Sequence, residues 1–142
     1  MSDYIRQAAA ITRSKPNRRG KNKYRNTKIS FDGRHFDSKA EMRVYLKLKA
    51  QIQNKEIVEV ECQPKIELFP DPIVKGRHVT YIADFRVVRN DGTEFFIDVK
   101  GEETARETTY RLKIKCVKWF FPDLELREYV YGARGLVTEN VY

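Results

Sequence analysis

The strongest constraint on this chain is a pair of alternating runs joined by one turn. Thr80–Val88 places Tyr81, Ala83, Phe85 and Val87 in one phase and Ile82, Asp84, Arg86 and Val88 in the other. Asn90-Asp91-Gly92 turns the chain, and Thr93–Lys100 returns with a second β-prone run. Two closures compete. A two-residue Asp91-Gly92 loop sets Phe85 beside Asp98 and mixes apolar with charged positions. A three-residue Asn90-Asp91-Gly92 loop, with Gly92 in the left-handed position of a bulge, pairs Phe85 with Ile97. It gathers Ala83, Phe85, Val87, Phe95, Ile97 and Val99 on one face. A one-residue slip would reverse every face, so the second closure is predicted.

That register sets Asp84 opposite Asp98, with their Cβ atoms about 5 Å apart, and Lys100 opposite Ile82. Like charges so placed destabilise a hairpin, and a divalent cation between them reverses the sign. Phe95-Phe96-Ile97-Asp98-Val99-Lys100-Gly101 presents Asp98 and Lys100 on a common face, because residues two apart on a strand point the same way. An acid that can hold a metal, beside a fixed cation, suits metal-assisted phosphodiester hydrolysis. Asp37-Ser38-Lys39 has the same spacing without a facing acid.

Charge points to the partner. The net charge is +8, which favours a polyanion, nucleic acid first. Arg13, Lys15, Arg18, Arg19, Lys21, Lys23, Arg25 and Lys28 come with no acid among them, and Tyr24 adds a stacking surface. Residues 1–28 are therefore expected to be a phosphate-contacting arm, with a short helix over residues 1–12. A domain over 29–131 and a tail over 132–142 complete the expected organisation. No run approaches the roughly 20 apolar residues of a membrane span. Cys62, Cys116 and two histidines support neither a disulfide framework nor a zinc site, so a reducing, cytoplasmic setting is expected.

Ile29–Phe36, with Asp32-Gly33 at its centre, predicts a tight hairpin. Ser38-Lys39-Ala40-Glu41 is a capping box opening a helix to about Gln53. Glu41 also falls within the stripe of Val44, Tyr45, Leu48 and Ile52, where a carboxylate needs a cation, so it is a candidate metal ligand as well as a cap. Glu56–Pro70 predicts one or two strands bent at Pro64, with Gln63 a further candidate. Thr104-Ala105-Arg106-Glu107 predicts a capped helix to about Phe121. Tyr110, Ile114, Val117 and Phe121 form one stripe of that helix; Leu112, Cys116 and Trp119 form another. Arg111, Lys115 and Lys118 form a basic side expected to meet DNA. Two apolar stripes imply a second cover, such as another subunit. Leu124–Val130 predicts the last strand.

The fold predicted is α/β (α+β), a mixed central sheet flanked by helices in the order helix, strands, hairpin, helix, strand. With Ser38-Lys39-Ala40-Glu41, Tyr81-Ile82-Ala83-Asp84-Phe85 and Phe96-Ile97-Asp98-Val99-Lys100-Gly101 in that order, the chain resembles the PD-(D/E)XK nuclease superfamily. The resemblance spans roughly residues 23–130 and is nearest to the phage-encoded, Holliday-junction-resolvase-like branch, related to RecU-type and phage endonuclease I resolvases. Ala83 departs from the proline that precedes the first hairpin acid in that pattern. The resemblance implies a restriction-endonuclease-like core and an endodeoxyribonuclease acting on branched DNA as a homodimer, in a bacterial or phage-infected host cytoplasm. It implies Mg²⁺ or Mn²⁺ held by Asp84, Asp98 and the Val99 carbonyl, with Glu41 completing that site or holding a second ion. Lys100 would orient the attacking water and stabilise charge on the phosphate. The alternatives are a nicking or restriction-type nuclease on linear DNA and a non-catalytic DNA-binding module.

Overall fold

The computed structural model describes residues 28–142; the expected short helix and the basic arm, Lys28 apart, lie outside the described residues. Contacts divide the chain into two compact units, with the boundary between Asn54 and Lys55.

In the first unit, β1 (Ile29–Phe31) pairs antiparallel with β2 (Arg34–Phe36). Asp32 and Gly33 both take positive φ, 53° and 69°, the two-residue turn that suits the twist of a hairpin. Helix α1 (Lys39–Gln53) follows, and the Ser38 hydroxyl accepts from the Glu41 N–H at 3.1 Å. Val44, Tyr45 and Leu48 form its buried stripe. Phe36 packs on Tyr45 with ring centroids 5.1 Å apart, and the Tyr45 hydroxyl donates to Asp32.

The second unit is built on a five-stranded mixed sheet with β3 (Ile57–Cys62) at one edge and β9 (Gly135–Val141) at the other. Between them lie, in spatial order, β6 (Phe85–Arg89), β7 (Glu94–Gly101) and β8 (Glu125–Gly132). The β7–β8 pair is parallel and the others are antiparallel. A separate two-stranded sheet joins β4 (Lys65–Pro70) to β5 (His78–Ile82). Two helices fill the crossover from β7 to β8: α2 (Glu102–Arg106) and α3 (Thr108–Phe120).

The β6–β7 register pairs Phe85 with Ile97 and Val87 with Phe95, as the three-residue loop requires, and Gly92 has φ 83°. Phe95 through Val99 are all buried, so β7 is covered on both faces. Tyr110, Ile114 and Val117 of α3 join Phe96, Leu126, Tyr81 and Ala83 in one core cluster, with Ile66 and Leu68 of β4. Each such side chain, fully buried, contributes about 1.5–3 kcal/mol relative to exposure. The fold is thus mixed α+β, in the predicted order of elements.

Three expectations are corrected. Thr80–Val88 is not one strand: β5 ends at Ile82 and β6 begins at Phe85, each in a different sheet. Ala83 consequently packs with Phe96 and not with the Phe85 and Ile97 face. The second helix does not start from a Thr104 cap. Glu107 is extended (φ −62°, ψ 132°) and separates α2 from α3. Residues 132–142 are no tail, since Gly135–Val141 is a strand on β8 and Tyr142 exchanges backbone hydrogen bonds with Leu126. On α3, Leu112 and Trp119 of the second apolar stripe are 59% and 82% exposed, while Cys116 packs against the core.

Strand β9 and the residue after it supply two of the groups that satisfy the buried Glu128 carboxylate: the Asn140 amide at 2.8 Å and the Tyr142 hydroxyl at 3.2 Å. Deleting residues 133–142 removes both. At about 1.5–3 kcal/mol per hydrogen bond to a charged group, the loss takes a large share of a domain's roughly 5–15 kcal/mol, before the lost strand pairing is counted. The truncated protein is expected to lose its cooperative unfolding transition in urea. A dispensable tail would leave the midpoint unchanged.

Candidate active site

Asp84 sits where β5 gives way to β6, and backbone hydrogen bonds on both sides hold it there. Its N–H donates to the Ile97 carbonyl (3.0 Å), and its own carbonyl accepts from the Gln63 N–H (2.9 Å). Gln63 takes φ 53°, a left-handed conformation costly for a residue with a Cβ, at the bend between β3 and β4. Pro64, next in the bend, accepts from the Ala83 N–H at 3.2 Å. A proline at position 83 has no N–H to donate, so alanine there secures the segment in a way proline cannot. Gln63 therefore reaches the site through its backbone.

The hairpin register then does what the sequence predicts. Asp84 lies one position beyond the Phe85–Ile97 pair, level with Asp98. The Val99 N–H donates to Asp84 Oδ2 at 2.7 Å. Lys100 Nζ lies 3.4 Å from the same oxygen and 3.6 Å from Asp98 Oδ1. The ammonium also lies 5.3 Å from the centre of the Tyr110 ring, a cation–π distance. Asp84, Asp98 and Lys100 are thus brought together within the second unit, with Val99 between the last two.

The two acids are not equivalent. Asp84 is part-exposed and hydrogen-bonded. Asp98 is wholly buried, and neither of its carboxylate oxygens accepts a hydrogen bond among the described residues. Burial pushes its pKa up to about 6, although Lys100 pulls it down. A buried carboxylate with no donor costs several kcal/mol unless a cation receives it. Hard oxygen donors from two carboxylates and a carbonyl match Mg²⁺ or Mn²⁺ in chemistry and do not match zinc. No group of three His, Cys, Asp or Glu side chains gathers for a metal among the described residues. What this unit could offer a metal is a pair of carboxylates with the main chain of the β7 run.

Glu41 lies on α1, in the first unit. Its carboxylate accepts from the Asp37 N–H (3.1 Å) and from the Ser38 hydroxyl (3.4 Å), so it fulfils the capping expectation, one residue upstream of the amide foreseen. Among the basic residues expected on DNA, Arg111 donates to the Tyr142 hydroxyl (2.9 Å) and pairs with Glu128 (3.4 Å). Lys118 donates to the carbonyls of Pro122 (2.8 Å) and Leu124 (2.7 Å), closing the end of α3. Lys115 is exposed.

Glu128 is the residue sequence reasoning missed. It is 1% exposed and lies beside Asp98 in the parallel β7–β8 register. The signal was present: Leu126, Glu128 and Val130 share one phase of the last strand, so a carboxylate stood in the buried phase, as for Glu41.

Among protein families, the model described as "Protein of unknown function (DUF1064)" matches residues 21–134. Among solved structures, one described as "Crystal structure of SSO0001" aligns at 12% identity and TM-score 0.44, over 70% of this chain and 48% of that one. The chain spans about half the length of that protein. No curated protein matches.

The burial of Asp98, only partly offset by Lys100, has a consequence for stability without metal. Its folded pKa, about 6, lies above the ordinary 3.8. The protonated form therefore stabilises the fold below about pH 4, and that contribution is lost as pH rises through 6. Asp98→Asn removes the charge and keeps the shape. In EDTA it is expected to gain on the order of 2–3 kcal/mol over wild type at pH 8, with the difference vanishing near pH 4. Urea melts at the two pH values check this. Equal destabilisation at both would mark Asp98 as a structural hydrogen-bond partner.

Proposed function

The chain belongs to the DUF1064 family, and from its own site we propose that it is a metal-dependent endodeoxyribonuclease acting on branched DNA. One observation carries this reading: a wholly buried carboxylate, Asp98, with no hydrogen-bond donor, level with a second acid and flanked by a lysine. An architecture that holds two acids together at a cost to stability is accounted for by a cation between them. The order of the motifs along the chain, and its resemblance to the PD-(D/E)XK pattern, support the same reaction. DNA as substrate rests on the net charge of +8 and the run of basic residues from Arg13 to Lys28.

Asp84, Asp98 and the Val99 carbonyl would hold Mg²⁺ or Mn²⁺. Glu41 stays in the proposal as a ligand on the strength of the motif order. When bound, such an ion polarises the phosphate and lowers the pKa of bound water. The protein's own groups do the rest. Lys100, at ion-pair distance from both carboxylates, donates to phosphate oxygens and stabilises the charge that grows there. Tyr110, whose buried ring lies under the Lys100 ammonium, keeps that ammonium near the acids. Gln63 and Ile97 fix the Asp84 backbone, so the carboxylate is placed before any ligand arrives. Cutting paired strands of a junction requires two such sites, and the exposed Leu112 and Trp119 of α3 offer an apolar surface for a homodimer.

The test is a cleavage panel of four-way junction, flap, linear duplex and single strand, in Mg²⁺ and in EDTA. The junction is expected to be cut fastest and only with metal. Asp84→Asn and Asp98→Asn should abolish cutting while remaining folded. Lys100→Ala should lower the rate by about 10²–10³ with DNA affinity within a few fold. Glu41→Gln should keep the helix cap, since glutamine also serves there, while activity falls. Binding without cleavage of any substrate would leave a DNA-binding module.

A further inference from the structure

The face of the sheet that carries Asp98 and Lys100 continues across β8 and β9. Asp98 neighbours Glu128, which neighbours Asn140; Lys100 neighbours Val130, which neighbours Thr138. Two strand spacings separate Asp98 from Asn140, about 10 Å. Over the outer part of this face lies an open groove of about 470 Å³, floored by these β8 and β9 side chains and walled by α2 and the start of α3. Its size is that of a site for one small organic group.

The polar groups of its floor are already organised. Glu128 accepts from Asn140, Tyr142 and Arg111, and the Arg111 guanidinium lies 5.4 Å from the centre of the Tyr142 ring. A network with its members satisfied is rigid and does not collapse when a ligand arrives. At one end the chain comes close: a Cβ on Gly132 would stand 2.9 Å from Val137 and 3.2 Å from Glu102.

Charge decides the ligand class. Arg111 pairs with Glu128, and the rim carries one charge of each sign, Arg106 and Glu102. A free phosphate gains little in such a groove. A planar heterocycle gains more, because the Val130 and Val137 side chains supply apolar contact and guanidinium planes can stack on it. Amide and carboxylate groups can meet its hydrogen-bonding edge.

We propose that this groove is a nucleobase subsite, which takes one unpaired base of the strand whose phosphate lies at Asp84, Asp98 and Lys100. The assignment rests on the reading of that site as one for DNA. It adds a preference for strands that expose a base near the cut, as branched and frayed DNA does.

The experiment keeps the two readings apart by working in EDTA, where no cleavage is needed. The ¹⁵N-labelled full chain is titrated with each of the four deoxynucleoside 5′-monophosphates and with inorganic phosphate. Saturable shifts at Val130, Val137, Thr138 and Asn140 are expected at millimolar nucleotide, differing between bases and absent with phosphate. Thr138→Trp, an exposed position on the edge strand, should fill the groove and abolish them; Arg106→Ala should weaken them several fold. Absence of saturable shifts, or the same shifts with phosphate alone, would overturn the subsite. Shifts confined to Asp84, Asp98 and Lys100 would overturn it as well, and would leave the nuclease reading to stand or fall on the cleavage panel.

Discussion

Desolvation of one carboxylate organises the second unit. Asp98 occupies a strand covered on both faces, where an apolar residue would cost nothing and an ionised acid costs several kcal/mol. Its neighbours do not remove that cost. Lys100 is at ion-pair distance but donates mainly towards Asp84, and the next acid along the sheet, Glu128, adds charge of the same sign. Glu128 itself is fully provided for by Arg111, Asn140 and Tyr142. Two buried acids stand side by side on parallel strands, one satisfied from within the protein and one not. The contrast separates a carboxylate provided for by the protein from one that we propose receives a metal ion.

Much of the surrounding fold serves to fix the partner acid. Asp84 lies in neither sheet but in the gap between them, and that gap is laced by backbone hydrogen bonds from Gln63, to Pro64 and to Ile97. The left-handed Gln63 and the break after Ile82 belong together: the chain leaves the small sheet, crosses the bend, and enters the large one with Asp84 at the crossing. The cost of a positive φ is set against a carboxylate whose main chain cannot drift.

Local chemistry made the site legible in the sequence. Asn90-Asp91-Gly92 fixes the hairpin register through one left-handed glycine, and the register alone levels Asp84 with Asp98. Asp32-Gly33 and the Ser38 cap are equally local, and both form as the sequence predicts. What was not legible depends on partners distant in sequence. Alternation through Thr80–Val88 is unbroken, yet Tyr81 and Phe85 join different sheets, because Pro64 bends the preceding strand and β5 follows β4 away. Thr104 to Glu107 has the composition of a capping box, but the chain must first turn off β7 at Gly101, and α2 is spent on that turn. Residues 132–142 carry weak alternation and much exposed surface, so nothing local marks them as the edge strand that completes the Glu128 network.

The central claim is that Asp98 stands ready for a divalent cation, and it can be tested without DNA. Isothermal titration of the metal-free full chain with Mn²⁺ should give a saturable heat at wild-type Asp98, together with a melting temperature that rises with Mn²⁺ concentration. Asp98→Asn should give neither. Equal binding by the two proteins, or no binding by the wild type, would contradict the account.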